Sequence, residues 1–178
     1  FGKEGGITLS GGECMAQPEF AEALLRAAHE SGYHTAIETT AFASRDVVER
    51  LLPHVDLFMM DIKHMDSAKH EEFTSQPNER ILENAKKMVE AGANVIVRVP
   101  VIPTFNATAE EIEAIAEFAK SIGIKKMHLL PYHSFGSDKY AGLGRDYTLK
   151  NISTPANEEM LNFKAAVEKK GLYCQIGG

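Results

Sequence analysis

Apolar positions recur along this chain in two alternating rhythms. Short runs that are alternating or continuously apolar give way to longer runs with apolar residues at three- and four-residue spacing. The first kind predicts strands at Gly5–Leu9, His34–Glu38, Asp56–Ile62, Asn94–Pro100 and Met127–Leu130, with a short last strand at Leu172–Ile176. The second kind predicts the helices between them. Glu19–Ser31 places Phe20, Leu24, Leu25 and Ala28 at helical spacing, with Pro18 suited to a first turn and Gly32 to a C-terminal cap. Ser44 caps a run to Leu52, and Asn78 opens one to about Ala91 that turns Ile81, Leu82, Ala85 and Val89 inward. Thr108–Ile122 carries the plainest signature. Thr108 and Glu111 form a capping box, Ile112, Ile115 and Phe118 form the stripe, and Gly123 stops it. A last helix is expected at Thr154–Lys170, and loops at 74–78 and at Ser134–Asp146.

Strands joined by crossover helices imply a parallel sheet with right-handed connections. Each strand–helix unit takes roughly 25–35 residues, a normal length for such units. A closed eight-unit barrel needs about 250 residues, so 178 residues make one domain that is an open α/β sheet or an incomplete barrel. The chain opens on Phe1 with a strand pattern following almost at once, as expected of a piece of something longer.

Composition narrows the partners. The chain is 44% hydrophobic and 25% charged with a net charge of −6, ordinary values for a globular protein. The absence of a block of Lys or Arg argues against a nucleic-acid groove or an anionic membrane surface as the main partner. No apolar run approaches the roughly 20 residues of a membrane span. With no signal-peptide pattern either, the cytoplasm is the expected compartment. Two cysteines, Cys14 and Cys174, are too few for a disulfide framework. They form no C-x-x-C pair, so they hold no iron–sulfur cluster or structural zinc by themselves. Cys174, among apolar neighbours, reads as a buried small residue.

Parallel α/β folds collect function at the carboxyl ends of their strands. Here the first strand runs into Ser10-Gly11-Gly12-Glu13, where bare backbone and a carboxylate suit a ligand bearing an ammonium group. The second ends Glu38-Thr39-Thr40, the third Asp61-Ile62-Lys63-His64, and the fifth Pro131-Tyr132-His133, while the fourth carries Arg98. Each has an ordinary reading on its own: Glu38 or Asp61 as a helix cap, Lys63 as a solvated charge, His133 as a surface histidine. Five such ends on one face are what singles them out. His29 and His54 read as surface or packing residues. His64 and His70, six apart, make no same-face pair for zinc. Glu71 and Glu72 read as a solvated helix face, and of Met59 and Met60 at least one belongs to the core.

Five segments together carry a resemblance. Gly5–Glu13, His34–Phe42 (HTAIETTAF), Asp56–Lys63 (DLFMMDIK), Val97–Pro103 (VRVPVIP) and Leu129–Gly136 (LLPYHSFG) resemble the radical S-adenosylmethionine enzymes that activate glycyl-radical enzymes. The resemblance implies a partial (β/α)6 barrel. It implies a [4Fe–4S] cluster and S-adenosylmethionine, whose reductive cleavage yields a 5′-deoxyadenosyl radical that takes a hydrogen from a glycine of the partner enzyme. Pyruvate formate-lyase is the prototype partner, and flavodoxin or ferredoxin the implied electron donor. Carried over by position, Gly11, Gly12 and Glu13 lie by the methionyl amino group, and Glu38 contacts the same amine. Asp61 bonds the ribose hydroxyls, Thr39 contacts the ribose, and Lys63 and His133 meet the carboxylate or the ribose. Arg98 lines the cleft where the substrate loop enters, and partner choice falls to Ser134–Asp146 together with residues outside these 178.

One departure matters. The family's C-x-x-x-C-x-x-C motif is not in these 178 residues, and Cys14 stands where many relatives carry Pro. The expectation is a barrel portion lacking the first strand and the cluster loop, unable to assemble the cluster or perform the reaction alone. Its exposed sheet edge is a pairing liability that points to a homodimer or a covered edge. Two other readings compete. Asp61-x-Lys63-x-x-Asp66 resembles the motif of orotidine-phosphate-decarboxylase-like barrels, although no glycine–amide phosphate cradle follows the fifth strand. A barrel fragment serving only for docking is the other.

Overall fold

The computed structural model describes residues 5–133, 142, 144, 149 and 151–177. Six strands form one parallel sheet: β1 (Gly6–Leu9), β2 (His34–Thr39), β3 (Leu57–Asp61), β4 (Val95–Val101), β5 (Lys126–Pro131) and β6 (Tyr173–Ile176). Spatial order follows chain order, β1-β2-β3-β4-β5-β6, and among the described residues β1 and β6 do not pair. Sequential right-handed crossovers put every connecting helix on the same side of the sheet. That is the layout of a barrel that stops short of closure, and it matches the expected partial barrel.

The helices are α1 (Pro18–Glu30), α2 (Arg45–Leu51), α3 (Ser67–Thr74), α4 (Glu79–Glu90), α5 (Ala109–Ser121) and α6 (Asn157–Lys169). Alternation along the strands sorts the two faces. Ile37, Phe58, Met60, Val97, Val99, Met127, Leu129 and Cys174 point outward into one core with Leu25, Leu51, Met88, Ile112, Ile115 and Val167. The intervening residues, Glu38, Met59, Asp61, Arg98, His128 and Gln175, are left for the inner face. The expected fate of the methionine pair divides here, with Met60 in the core and Met59 facing inward.

Four differences from the sequence reading have local causes. In α1 the buried stripe is Ala21, Leu25 and Ala28, while Phe20 is 66% exposed and Leu24 lies at the surface. Helix α3 carries the solvated face expected at Glu71 and Glu72, but its bounds are announced by no sequence pattern. It has no apolar stripe to announce it and begins where the Asp66 carboxylate accepts the Lys69 N–H at 3.0 Å. The capping box of α5 is half formed. Thr108 Oγ1 accepts the Glu111 N–H, but the Glu111 carboxylate turns to the Met65 N–H at 2.5 Å and to His64 Nδ1 at 3.3 Å. Helix α6 starts three residues later than expected, after Pro155. The loop expected at Ser134–Asp146, with the partner choice assigned to it, lies outside the described residues apart from Gly142 and Gly144.

Candidate active site

At the carboxyl ends of β1–β4 a cleft of about 340 Å³ is lined by Ser10, Gly11, Gly12, Glu13, Glu38, Thr39, Thr40, Asp61, Lys63 and Arg98. Eight of the nine residues singled out from the sequence meet there. His133, exposed two residues beyond β5, is not among the lining residues.

The turn after β1 is bare backbone. Gly11 has φ +127°, a conformation that favours glycine, and a Cβ at Gly11 or Gly12 would meet no atom within 4 Å. A side chain at either position would stand in open space at the mouth of the turn, where the glycines leave the main chain accessible to a ligand.

Glu13 fixes that turn. Its Oε1 accepts the Thr39 hydroxyl at 2.7 Å and the Met15 N–H at 3.0 Å. Its Oε2 accepts the Thr40 hydroxyl at 2.7 Å and the Thr40 N–H at 2.8 Å. Burial pushes the Glu13 carboxyl up, but the bonds from Thr39, Thr40 and Met15 outweigh it and hold the group below its ordinary value. Four donors saturate the carboxylate, so an ammonium ligand would meet the glycine backbone and Glu38 rather than Glu13. Thr39 is also engaged: it gives its proton to Glu13 and accepts the Ala41 N–H at 2.8 Å. A hydroxyl so placed, on a residue 4% exposed, has no proton left for a ribose.

Beside the turn, charges interlock. Glu38 accepts the Ser10 hydroxyl at 2.5 Å and pairs with an Arg98 terminal nitrogen at 2.5 Å. Asp61 lies 3.4 Å from Arg98 Nε and 3.6 Å from Lys63 Nζ. Burial raises the Asp61 carboxyl above its ordinary range, with Lys63 and Arg98 pulling it down less strongly. Asp61 Oδ1 and Arg98 Nε are buried without a hydrogen-bond partner among the described residues. Such groups cost free energy until a ligand satisfies them. Asp66, by contrast, is exposed and caps α3, so the D-x-K-x-x-D triad does not converge in the cleft.

Sequence reasoning missed what holds Lys63 in place. Asn106 is fully buried. It accepts the Ile102 N–H at 2.7 Å and donates to the carbonyls of Lys63 and Pro100, each at 2.8 Å. Asn78 donates to the carbonyls of His64 and Met65, each at 2.8 Å. The sequence signal was slight, an Asn at the start of α4 and another just before α5.

The radical SAM superfamily model matches residues 1–129, nearly three quarters of the chain. The chain belongs to the radical SAM superfamily. Members of this superfamily use S-adenosylmethionine and a [4Fe–4S] cluster. The trans-4-hydroxy-L-proline dehydratase activating enzyme of Clostridioides difficile is 37% identical over 98% of this chain and 59% of its own length. The isethionate sulfite-lyase activating enzyme of Nitratidesulfovibrio vulgaris is 42% identical over 92% of this chain and 53% of its own. The chain therefore spans between half and three fifths of these curated relatives. Among solved structures, a domain of the pyruvate-formate lyase-activating enzyme from Bacteroides vulgatus superposes with a TM-score of 0.82 at 32% identity, covering 98% of this chain and 99% of that one.

The radical SAM cleft fits one of the two groups. S-adenosylmethionine is a zwitterion with a diol. The open Gly11-Gly12 backbone, the carboxylates Glu38 and Asp61 and the ammonium of Lys63 are complementary to its amine, hydroxyls and carboxylate. The cluster does not fit these residues, because its ligands are several cysteine thiolates. Cys174 is buried in the outer core. The Cys14 thiol is pushed up to about 11 by burial and the neighbouring Glu13, and it donates to the Glu38 carbonyl at 3.5 Å. Among the described residues no three His, Cys, Asp or Glu side chains gather as a metal site.

Proposed function

We propose that this chain is the S-adenosylmethionine-binding part of an activating enzyme that installs a glycyl radical on a partner enzyme. The observation that carries the reading is the cleft itself, in which bare glycine backbone, two carboxylates, Lys63 and two unsatisfied polar atoms share one face. The relatives named above are activating enzymes for lyases and a dehydratase, which supports the choice of reaction. When bound and reduced, the cofactor supplies a carbon-centred radical that removes a hydrogen from glycine. The chain's own residues orient it. Gly11, Gly12 and Glu38 take the amine, Asp61 the ribose hydroxyls, and Lys63 the carboxylate. Glu13 and Thr39 hold the glycine turn against β2. His133 meets the ligand from the β5 side, and Arg98 lines the substrate entry while balancing Glu38 and Asp61.

The cluster cysteines come from outside these residues, the electron donor is a flavodoxin or ferredoxin, and the setting is the cytoplasm, in keeping with two unpaired cysteines. Self-association runs through the open β1 edge. Calorimetric titration with S-adenosylmethionine tests the site. The chain is expected to bind it, and Glu38→Ala to bind at least about tenfold more weakly, the loss of one charge-assisted contact. A wild-type chain that binds no S-adenosylmethionine would overturn the site. A full-length, cluster-reconstituted protein that makes no 5′-deoxyadenosine would overturn the reaction.

A further inference from the structure

The polar row of the inner face does not end at Arg98. In register across the sheet, Asp61 pairs with Arg98, Arg98 with His128, and His128 with Gln175. Parallel neighbours stand about 4.8 Å apart, so the four residues form one line roughly 14 Å long at a single level. Its β3–β4 end belongs to the cleft. Its β5–β6 end, His128 and Gln175, lies outside the cleft lining and has no part in the cofactor contacts.

These two residues are unlike their neighbours in the row. Both are half-buried, and neither side chain makes a hydrogen bond to another described residue. Outward-facing positions on the same strands, Met127, Leu129 and Cys174, are fully buried and apolar. Burial, with Arg98 and Lys126 adding, holds the His128 ring below the ordinary histidine range, which keeps it neutral at pH 7. A neutral imidazole offers one donor and one acceptor, and a carboxamide offers both as well. Arg98 is already balanced by Glu38 and Asp61, so this end of the row presents polarity without net charge. That suits an amide main chain and does not suit a carboxylate or a phosphate, which would call for an unpaired Arg or Lys.

Placement gives the occupant. Reacting atoms must approach within about 3–3.5 Å. The cofactor's amine and carboxylate are held over β1–β3, with His133 reaching it only from beyond the end of β5, which leaves the inner face at β4–β6 for the second reactant. We propose that His128 and Gln175 form a main-chain-binding subsite for the peptide segment that carries the target glycine. The proposal rests on the activating-enzyme reading and deepens it by assigning two substrate-positioning residues.

The capped peptide acetyl-Ala-Gly-Ala-amide and its analogue with an ester in place of the Ala–Gly amide serve as probes. Each is titrated by NMR into histidine-labelled protein, with and without S-adenosylmethionine. The ring signals of His128, identified by their loss in His128→Leu, are expected to shift with the amide peptide. Affinity should fall about tenfold in His128→Leu and in Gln175→Leu and stay within about threefold in His128→Gln, which keeps a neutral donor and acceptor. Swapping amide for ester should weaken binding to the wild type and make no difference in His128→Leu. S-adenosylmethionine affinity, measured separately on each variant, should stay within about twofold and certifies the fold. Peptide binding that is absent from the wild type, or equal in wild type and His128→Leu, overturns the subsite. Failure of the cofactor titration alone overturns the active-site reading and leaves the peptide result to be judged by itself.

Discussion

Asp61 carries the sharpest conflict between stability and function at the scale of single residues. Its carboxyl is raised by burial against the pull of Lys63 and Arg98, and its Oδ1 finds no hydrogen-bond partner among the described residues. An acid whose folded-state pKa is raised keeps its proton to higher pH in the folded chain than in the unfolded one. Its contribution to stability is therefore most favourable below the unfolded value near 3.8, and it is lost as pH rises through the raised folded value. Asp61→Asn is expected to melt at a higher temperature than wild type at pH 7. The difference should close as pH falls toward 3.8, because both side chains are then neutral. The same variant should bind S-adenosylmethionine at least about tenfold more weakly, having lost its charge. Thermal melts across pH decide the first point. An Asn variant less stable at pH 7 would mean that the pairing with Lys63 and Arg98 outweighs burial. Glu13 has the opposite balance: saturated by four donors, it stabilises the native turn instead of waiting for a ligand.

Elements bring these residues together, and the loop between β3 and α3 depends on groups from two other places in the chain. Asn106 grips the Lys63 and Pro100 carbonyls and the Ile102 N–H, while Asn78 grips the next two carbonyls along. Replacing Asn106 with Ala strands the buried Ile102 N–H and the part-buried Lys63 and Pro100 carbonyls, at about 1–3 kcal/mol for each group that water cannot reach. Chemical denaturation should show a loss of about 3 kcal/mol or more, with weaker S-adenosylmethionine binding because Lys63 is no longer held. Asn106→Asp should be destabilised at pH 7, where a carboxylate faces two carbonyls, and should partly recover in acid, where the protonated group donates once. A variant as stable as wild type at pH 7 would contradict this account.

None of that gripping was legible in the sequence, since an asparagine serving three distant backbone groups leaves no periodic trace. The strands and most helices were legible, because a parallel sheet with helices on one side writes its core into alternation and a 3.6-residue stripe. Of helix α3 only the solvated face at Glu71 and Glu72 was legible and its bounds were not, because it buries only His70 and has no stripe to show. The strand-end residues were found because the fold places polar groups there for a reason. Thr39 and Glu13 show the limit of that logic, since position at a strand end does not reveal whether a polar atom faces a ligand or a neighbour.

At the scale of the whole molecule the described residues form one six-stranded parallel sheet with two unpaired edges. The β1 edge is the more vulnerable. It is four residues long, and beside it α1 exposes Phe20 at 66% and Leu24 at 36%. The adjoining hollow, lined by Leu9, Cys14, Gln17, Phe20 and Ala21 among others, holds about 330 Å³. Unpaired N–H and C=O groups next to exposed apolar side chains invite a second chain to add a strand. The chain is therefore expected to sediment as a dimer in the micromolar range. Thr8→Lys puts a charge on the edge strand, the device that natural sheets use against such pairing, and should shift the equilibrium to monomer. Phe20→Lys should do the same by removing the apolar patch. Phe20 shares its hollow with Ser10, Gly12 and Glu13 of the cleft, so S-adenosylmethionine binding is measured on both variants to tell a lost dimer from a disturbed site. Sedimentation velocity with a parallel cofactor titration separates the outcomes. A wild-type monomer at every concentration, or a dimer indifferent to both lysines, would mean that the open edge does not drive association.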